Sequence, residues 1–153
     1  MIKVEIKNNI SFPSFILEQN DLLNIANKIV IPLLQDGIDR GVGVDGSMFP
    51  INEPATVMRK AKKGLGRKVL IETGKLYSSF YSKIKGKNSV IVSLNSSRKE
   101  IGGYLQNDGI RTKSGKKYYK FFGITDGMRE DAMNVMRNKV KESCKKFNGG
   151  KTV

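Results

Sequence analysis

Histidine and tryptophan are absent from this 153-residue chain, cysteine occurs once and proline four times. Without histidine there is no side chain that ordinarily titrates near neutrality to serve as a general base. A Ser-His or Cys-His nucleophile and the commonest zinc ligand are excluded with it. The lone Cys144 excludes an intrachain disulfide and a multi-cysteine metal site, fits a reducing compartment, and reads as a small apolar side chain on a helix. Long apolar runs are missing too. The longest, Ile29 to Leu34, falls far short of the ~20 residues a membrane helix requires and contains Pro32. Met1 to Lys7 alternates apolar and charged residues, the period of a strand rather than of a signal peptide, so a soluble, unsecreted protein with no membrane partner is expected.

What is abundant is positive charge. The chain carries 28 Lys and Arg against 14 Asp and Glu, a net charge of +14. Residues 1–55 hold four basic and seven acidic side chains, leaving 24 basic and seven acidic in 56–153. Such a field draws nucleic acid or acidic protein surfaces without choosing between them. Apolar residues make up 39% of the chain, with seven Phe and five Tyr, enough for one domain with a modest core.

The pattern of elements is α+β. After the opening strand, Asp21 is placed to cap a helix whose Leu22, Ile25, Ala26, Ile29, Val30, Leu33 and Leu34 follow helical spacing. Pro32 should kink or split that helix, which ends by Gly37 or Gly41. Gly41 to Pro54 reads as a long exposed loop, Thr56 to Lys63 as a short basic helix, and Lys68 to Ile71 as a brief strand or buried turn. Phe80 to Lys85 and Ser89 to Leu94 form a hairpin around Gly86-Lys87-Asn88. A helix capped by Ser97 stops at Asp108-Gly109. A second hairpin pairs Ile110 to Lys113 with Lys117 to Phe122. Thr125 or Asp126 caps a last helix to about Lys146, with Met128, Ala132, Val135, Met136, Val140 and Cys144 as its apolar stripe. The expectation is a small antiparallel sheet packed with a long N-terminal helix and a C-terminal helix, plus a long extended loop. It forms a single domain over residues 1–147, with a flexible tail at 148–153.

Several chemical motifs fail on context. Gly41-Val42-Gly43-Val44-Asp45-Gly46 has GxGxxG spacing but follows a helix and leads into Ser47-Met48-Phe49-Pro50, so no helix N-terminus is present to hold a pyrophosphate. Thr73-Gly74-Lys75-Leu76 lacks the hydroxyl residue a phosphate loop has after its lysine. Asp36, Asp39 and Asp45 do not match an EF-hand loop, and no carboxylate pair stands in a hydrolase arrangement. No catalytic, cofactor-binding or metal-binding residue is expected. The basic cluster Arg59, Lys60, Lys62, Lys63, Arg67 and Lys68, extended by Lys83, Lys85 and Lys87, has the chemistry of phosphate contact. Tyr77, Phe80 and Tyr81 lie near it but read as core rather than as stacking platforms.

The string Asp45-Gly46, Phe49-Pro50, Thr56, Lys60, Val69-Leu70-Ile71-Glu72-Thr73-Gly74-Lys75-Leu76 and Ser78-Ser79 resembles the virion-morphogenesis, or tail-completion, family of contractile-tailed phages. Gly103 to Gly109 looks like that family's tyrosine-to-glycine segment, and Phe121-Phe122-Gly123-Ile124 like its aromatic-glycine entry into the last helix. The resemblance spans roughly Leu22 to Lys146. No histidine stands in the tyrosine-to-glycine segment here, and Tyr118-Tyr119-Lys120 occupies the place of a proline-alanine-arginine. The resemblance implies a non-catalytic structural protein of the tail or neck, made in the host cytoplasm and incorporated into the virion. It would form a ring, expected to be a hexamer, that caps or completes the head-tail junction against tail tube, tail terminator or head connector proteins, with DNA passing nearby. Gly46 and Gly74 then serve as turns, Phe49 and Leu70 as loop anchors and Thr73 as a cap. The loop from Gly41 to Arg67 becomes a contact arm, and Phe49, Arg59, Lys60, Lys62, Lys63, Arg67 and Lys68 become the candidate partner-contact residues. The alternative from charge is a basic nucleic-acid-binding protein.

Overall fold

A computed structural model describes residues 4–7, 18–87, 89–113 and 115–149. Strand β1 (Val4–Lys7) is followed by a helical run of α1 (Gln19–Ile25), a wide π turn (Ala26–Val30) and α2 (Ile31–Arg40). The run starts one turn before Asp21. The Glu18 backbone N–H donates to the Asp21 carboxylate at 3.0 Å, so Asp21 acts from inside the first turn as the acidic half of a capping box. Pro32 has no N–H to offer, and its ring crowds the preceding turn. The wide turn before it, in which the Ile31 N–H reaches back to the Ala26 carbonyl, makes room for the ring and divides the run into α1 and α2. Gly41, at φ 73°, closes α2: its N–H meets the Ile38 carbonyl at 3.2 Å and the Val42 N–H meets Gly37 at 2.8 Å. That pair of bonds requires the left-handed conformation that glycine adopts without penalty.

Helix α3 (Pro54–Lys62) follows a loop, and a 3₁₀ turn (Tyr77–Ser79) leads into β2 (Phe80–Ile84) and β3 (Ser89–Leu94). Then come α4 (Ser96–Gly103), a second wide turn (Tyr104–Asp108), β4 (Ile110–Thr112), β5 (Gly115–Lys117) and α5 (Asp126–Gly149). Thr125 caps α5, its hydroxyl accepting the Met128 N–H at 3.1 Å. The helix includes Asn148 and Gly149. The rest of the expected tail lies outside the described residues.

The core forms where β3 and the first helical run meet. Alternation along β3 buries Val90, Val92 and Leu94, and Leu22, Ile25, Ala26 and Val30 belong to the same apolar cluster. Phe80 stacks on Phe122 with ring centroids 5.9 Å apart and meets Phe121 edge-on at 6.5 Å. Met128, Ala132 and Met136 of α5 complete the cluster. Beyond them the expected stripe runs out: Val135 and Cys144 are exposed and Val140 is half-buried.

Three expectations are corrected. The strands do not form one sheet: β1, β3 and β2 make a three-stranded antiparallel sheet, and β4 with β5 a separate two-stranded ribbon. Helix is not confined to one long element near each end, because the first run is divided by its wide turn and α3 and α4 stand between the ends. Period-2 alternation marks strands but does not say which strands pair, and β4 and β5 are too short and polar to join the apolar sheet. The loop after Gly41 is also not extended. Val42 bridges Met48, the Gly43 N–H meets the Ser47 carbonyl at 2.7 Å, and the Val44 N–H meets Lys120 at 2.7 Å. Buried or tightly turned backbone must find partners, and here it finds them in its own loop and in the distant Lys120 carbonyl.

Candidate partner-contact surface

The segment from Asp45 to Gly74 folds as a cross-linked unit. The Asp45 carboxylate accepts from the Ser47 hydroxyl at 2.5 Å and the Ser47 N–H at 3.1 Å, and faces the Lys120 ammonium at 3.1 Å. Those Ser47 bonds and the lysine hold its carboxyl at about 2. Phe49 is buried, edge-on to Tyr119 with centroids 5.9 Å apart. It pins the loop to the core, and burial in turn pushes the Tyr119 hydroxyl pKa up.

Helix α3 sends Lys60 inward. Its side chain is buried, and its ammonium donates to the Lys68 carbonyl at 2.6 Å and the Ile71 carbonyl at 2.7 Å. Desolvation lowers its pKa, with Arg59 adding to the shift while Glu72 opposes it. These two bonds fasten the turn in which Leu70 takes φ 60°, a conformation strained for a branched residue that needs such support. Beside it, the Arg59 guanidinium grips both oxygens of Glu72, with Nη2 to Oε2 at 2.9 Å, and Lys63 stands 3.8 Å from the same carboxylate. The bidentate pair lowers the Glu72 pKa and raises that of Arg59. Asn52 donates to the Arg67 carbonyl at 3.0 Å.

The candidate contact residues therefore separate. Phe49 and Lys60 are internal. Arg59 is committed to Glu72 and Lys68 to Asp39. Lys62, Lys63 and Arg67 are exposed, Lys63 with its ammonium near the Glu72 carboxylate. Thr73 caps nothing: the Gly74 carbonyl, not the Thr73 hydroxyl, receives the Ser78 N–H at 2.9 Å. Three residues that the sequence reading passed over stand out on the same unit. Met48 is 73% exposed, Ile51 80% and Met58 64%. Met48 and Ile51 stand in a loop, which has no periodicity from which to read their direction, and Met58 stands on a helix too short and polar for its apolar face to be read.

The charge asymmetry along the chain is also spent inside the fold. Lys68 pairs with Asp39, Lys117 with Glu53, Lys120 with Asp45 and Lys139 with Asp21. In each, a cation from the basic part neutralises an acid from the front. These four pairs tie acids of the front to cations of the basic part, in a chain whose net charge is +14. Among the described residues no group of three His, Cys, Asp or Glu is placed to hold a metal ion, and no helix is long and apolar enough to cross a membrane. Comparison with family models, with curated proteins and with solved structures finds no match to this chain.

Proposed function

We propose that this chain is a non-catalytic assembly protein of the phage tail-completion or neck type, which docks on an acidic-rimmed neighbouring tail or neck protein. The observation that carries the reading is the exposed trio Met48, Ile51 and Met58, on the same short unit as the exposed Lys62, Lys63 and Arg67. Exposed apolar side chains together with exposed cations on one short unit supply both ingredients of a protein contact, apolar area and a charged margin. The unit beneath is fixed by Phe49, Lys60 and the Arg59–Glu72 pair, so the contact is presented without a large ordering cost on binding.

The resemblance of the Asp45 to Gly74 string to the tail-completion family supports the same reading. Of the residues that carry it, Asp45 and Gly46 form a turn, Phe49 is an anchor and Lys60 a clamp. In this account self-association into a ring, expected to be a hexamer, is a property of the assembled neck. Light scattering and electron microscopy of the purified protein, alone and with tails, test it. A monomer that never decorates tails would reject it.

A further inference from the structure

The β4–β5 ribbon has two chemically different faces. Ile110, Thr112 and Lys117 are partly buried and Tyr119 is buried, while Arg111, Lys113, Lys116 and Tyr118 are exposed. The inner face is fastened to the body. Lys117 reaches the Glu53 carboxylate at 2.6 Å and the Ile51 carbonyl at 3.2 Å, and the Tyr119 N–H meets the Leu105 carbonyl at 3.0 Å. The Tyr118 ring lies against Gly109, so close that a Cβ there would stand 2.9 Å from it.

The outer face is unbalanced. Arg111 and Lys116 are direct cross-strand partners, and like charges placed opposite one another destabilise a ribbon. Among the described residues neither they nor Lys113 makes an ion pair, although Lys117 and Lys120 close by both do. Two cations set face to face on a ribbon of three-residue strands repel one another in the free protein, and a polyanion lying across them would turn that repulsion into attraction.

We propose that this outer face is a nucleic-acid contact, with Arg111, Lys113 and Lys116 taking backbone phosphates and Tyr118 packed beside them. Same-face residues on a strand are about 7 Å apart and cross-strand neighbours about 5 Å. The cations are thus set closely enough to meet a duplex, which carries a charge every ~1.7 Å of its axis. A two-stranded ribbon also fits the ~12 Å major groove. An acidic protein is the weaker match, because the outer face has no apolar centre besides half-exposed Tyr118, whereas the Met48, Ile51 and Met58 surface has one. The contact does not depend on the assembly reading.

The test is the affinity for short duplex DNA, measured by fluorescence anisotropy across a salt series. It compares the wild-type protein with R111Q/K113Q/K116Q and with the charge-matched K62Q/K63Q/R67Q. With each phosphate contact contributing about 0.9 to the slope of log K against log salt, the ribbon variant should lose about 2–3 from that slope and about tenfold or more in affinity at ~0.1 M salt. The α3 variant should keep its slope within about one. Equal losses in the two variants, absence of duplex binding, or displacement of DNA by polyglutamate at matched charge would each overturn the proposal. Circular dichroism checks that the variants are folded. Should the triple ribbon variant misfold, R111Q alone should reduce the slope by about one, and an unchanged slope rejects the contact. Tail binding and ring formation, assayed separately, should be unaltered in the ribbon variant, so failure here is distinguishable from failure of the assembly reading.

Discussion

The ammonium of Lys60 donates to the carbonyl of Ile71 at 2.7 Å, across eleven residues. With its second bond to Lys68, it makes a charged side chain the internal strut of the α3 unit. Replacing it with methionine keeps the unbranched stem but removes the ammonium and leaves two carbonyls without their donor. Lys60→Met should cost about 1–3 kcal/mol, the desolvation it relieves offsetting part of the lost bonds. Urea denaturation reads this directly; an unchanged midpoint would mean that Lys60 is no strut.

Phe49 joins that unit to the core through Tyr119. Phe49→Ala should cost about 3–5 kcal/mol, and Phe49→Leu clearly less. If Phe49 instead acted as a surface contact, both variants would unfold at the wild-type denaturant concentration.

Gly109 combines φ 73° with a backbone that the Tyr118 ring covers. A methyl group there meets both the penalty of an extended backbone at positive φ, which only glycine adopts readily, and the ring. Gly109→Ala should therefore lose about 1–3 kcal/mol and disturb the Tyr118 resonances in NMR spectra. Wild-type stability with unmoved Tyr118 signals would show that the ring does not rest on this glycine.

Acid should act on the Asp45 turn. Its carboxyl is depressed from 3.8 to about 2 by the Ser47 hydroxyl and N–H and by Lys120. A folded-state pKa below the unfolded value gives stability that is present above the unfolded value and lost as pH falls through the folded one, here between about 4 and 2. The stability difference between wild type and Asp45→Asn should hold constant near neutral pH and shrink across that window. A difference independent of pH would show that the carboxylate charge contributes nothing.

Much of the local structure was legible because it depends on neighbours in sequence. The Phe80 to Leu94 hairpin follows from turn chemistry and periodicity, which also narrowed the cap of α5 to Thr125 or Asp126 and the end of α2 to Gly37 or Gly41; the fold selects Thr125 and Gly41. What was not legible depends on distant partners. Nothing in Phe49 or Lys60 alone reveals that Tyr119 and the carbonyls of Lys68 and Ile71 enclose them. Likewise, the split into two sheets depends on which strands meet, and the pairing of front acids with cations far along the chain, such as Asp21 with Lys139, depends on the fold. Of the basic cluster, spacing identified the residues, and only the fold separated Lys62 and Arg67 from Lys60, Lys68 and Arg59, which are engaged, and from Lys63, which stands at the edge of the Arg59–Glu72 pair.

The exposed trio gives the assembly reading its mutational handle. M48S/I51S/M58S should stay within about 0.5 kcal/mol per substitution of wild-type stability, since these side chains bury little in the isolated protein. It should nevertheless fail to bind tails. Retained binding would remove this surface from the account.

The most direct measurement is disruption of this gene in the genome that carries it, followed by electron microscopy and infectivity of the particles released. The account predicts heads and tails that remain unjoined or tails left incomplete, with infectivity restored by the wild-type chain and not by M48S/I51S/M58S. Normal infectious particles with joined tails in the absence of the protein would contradict it.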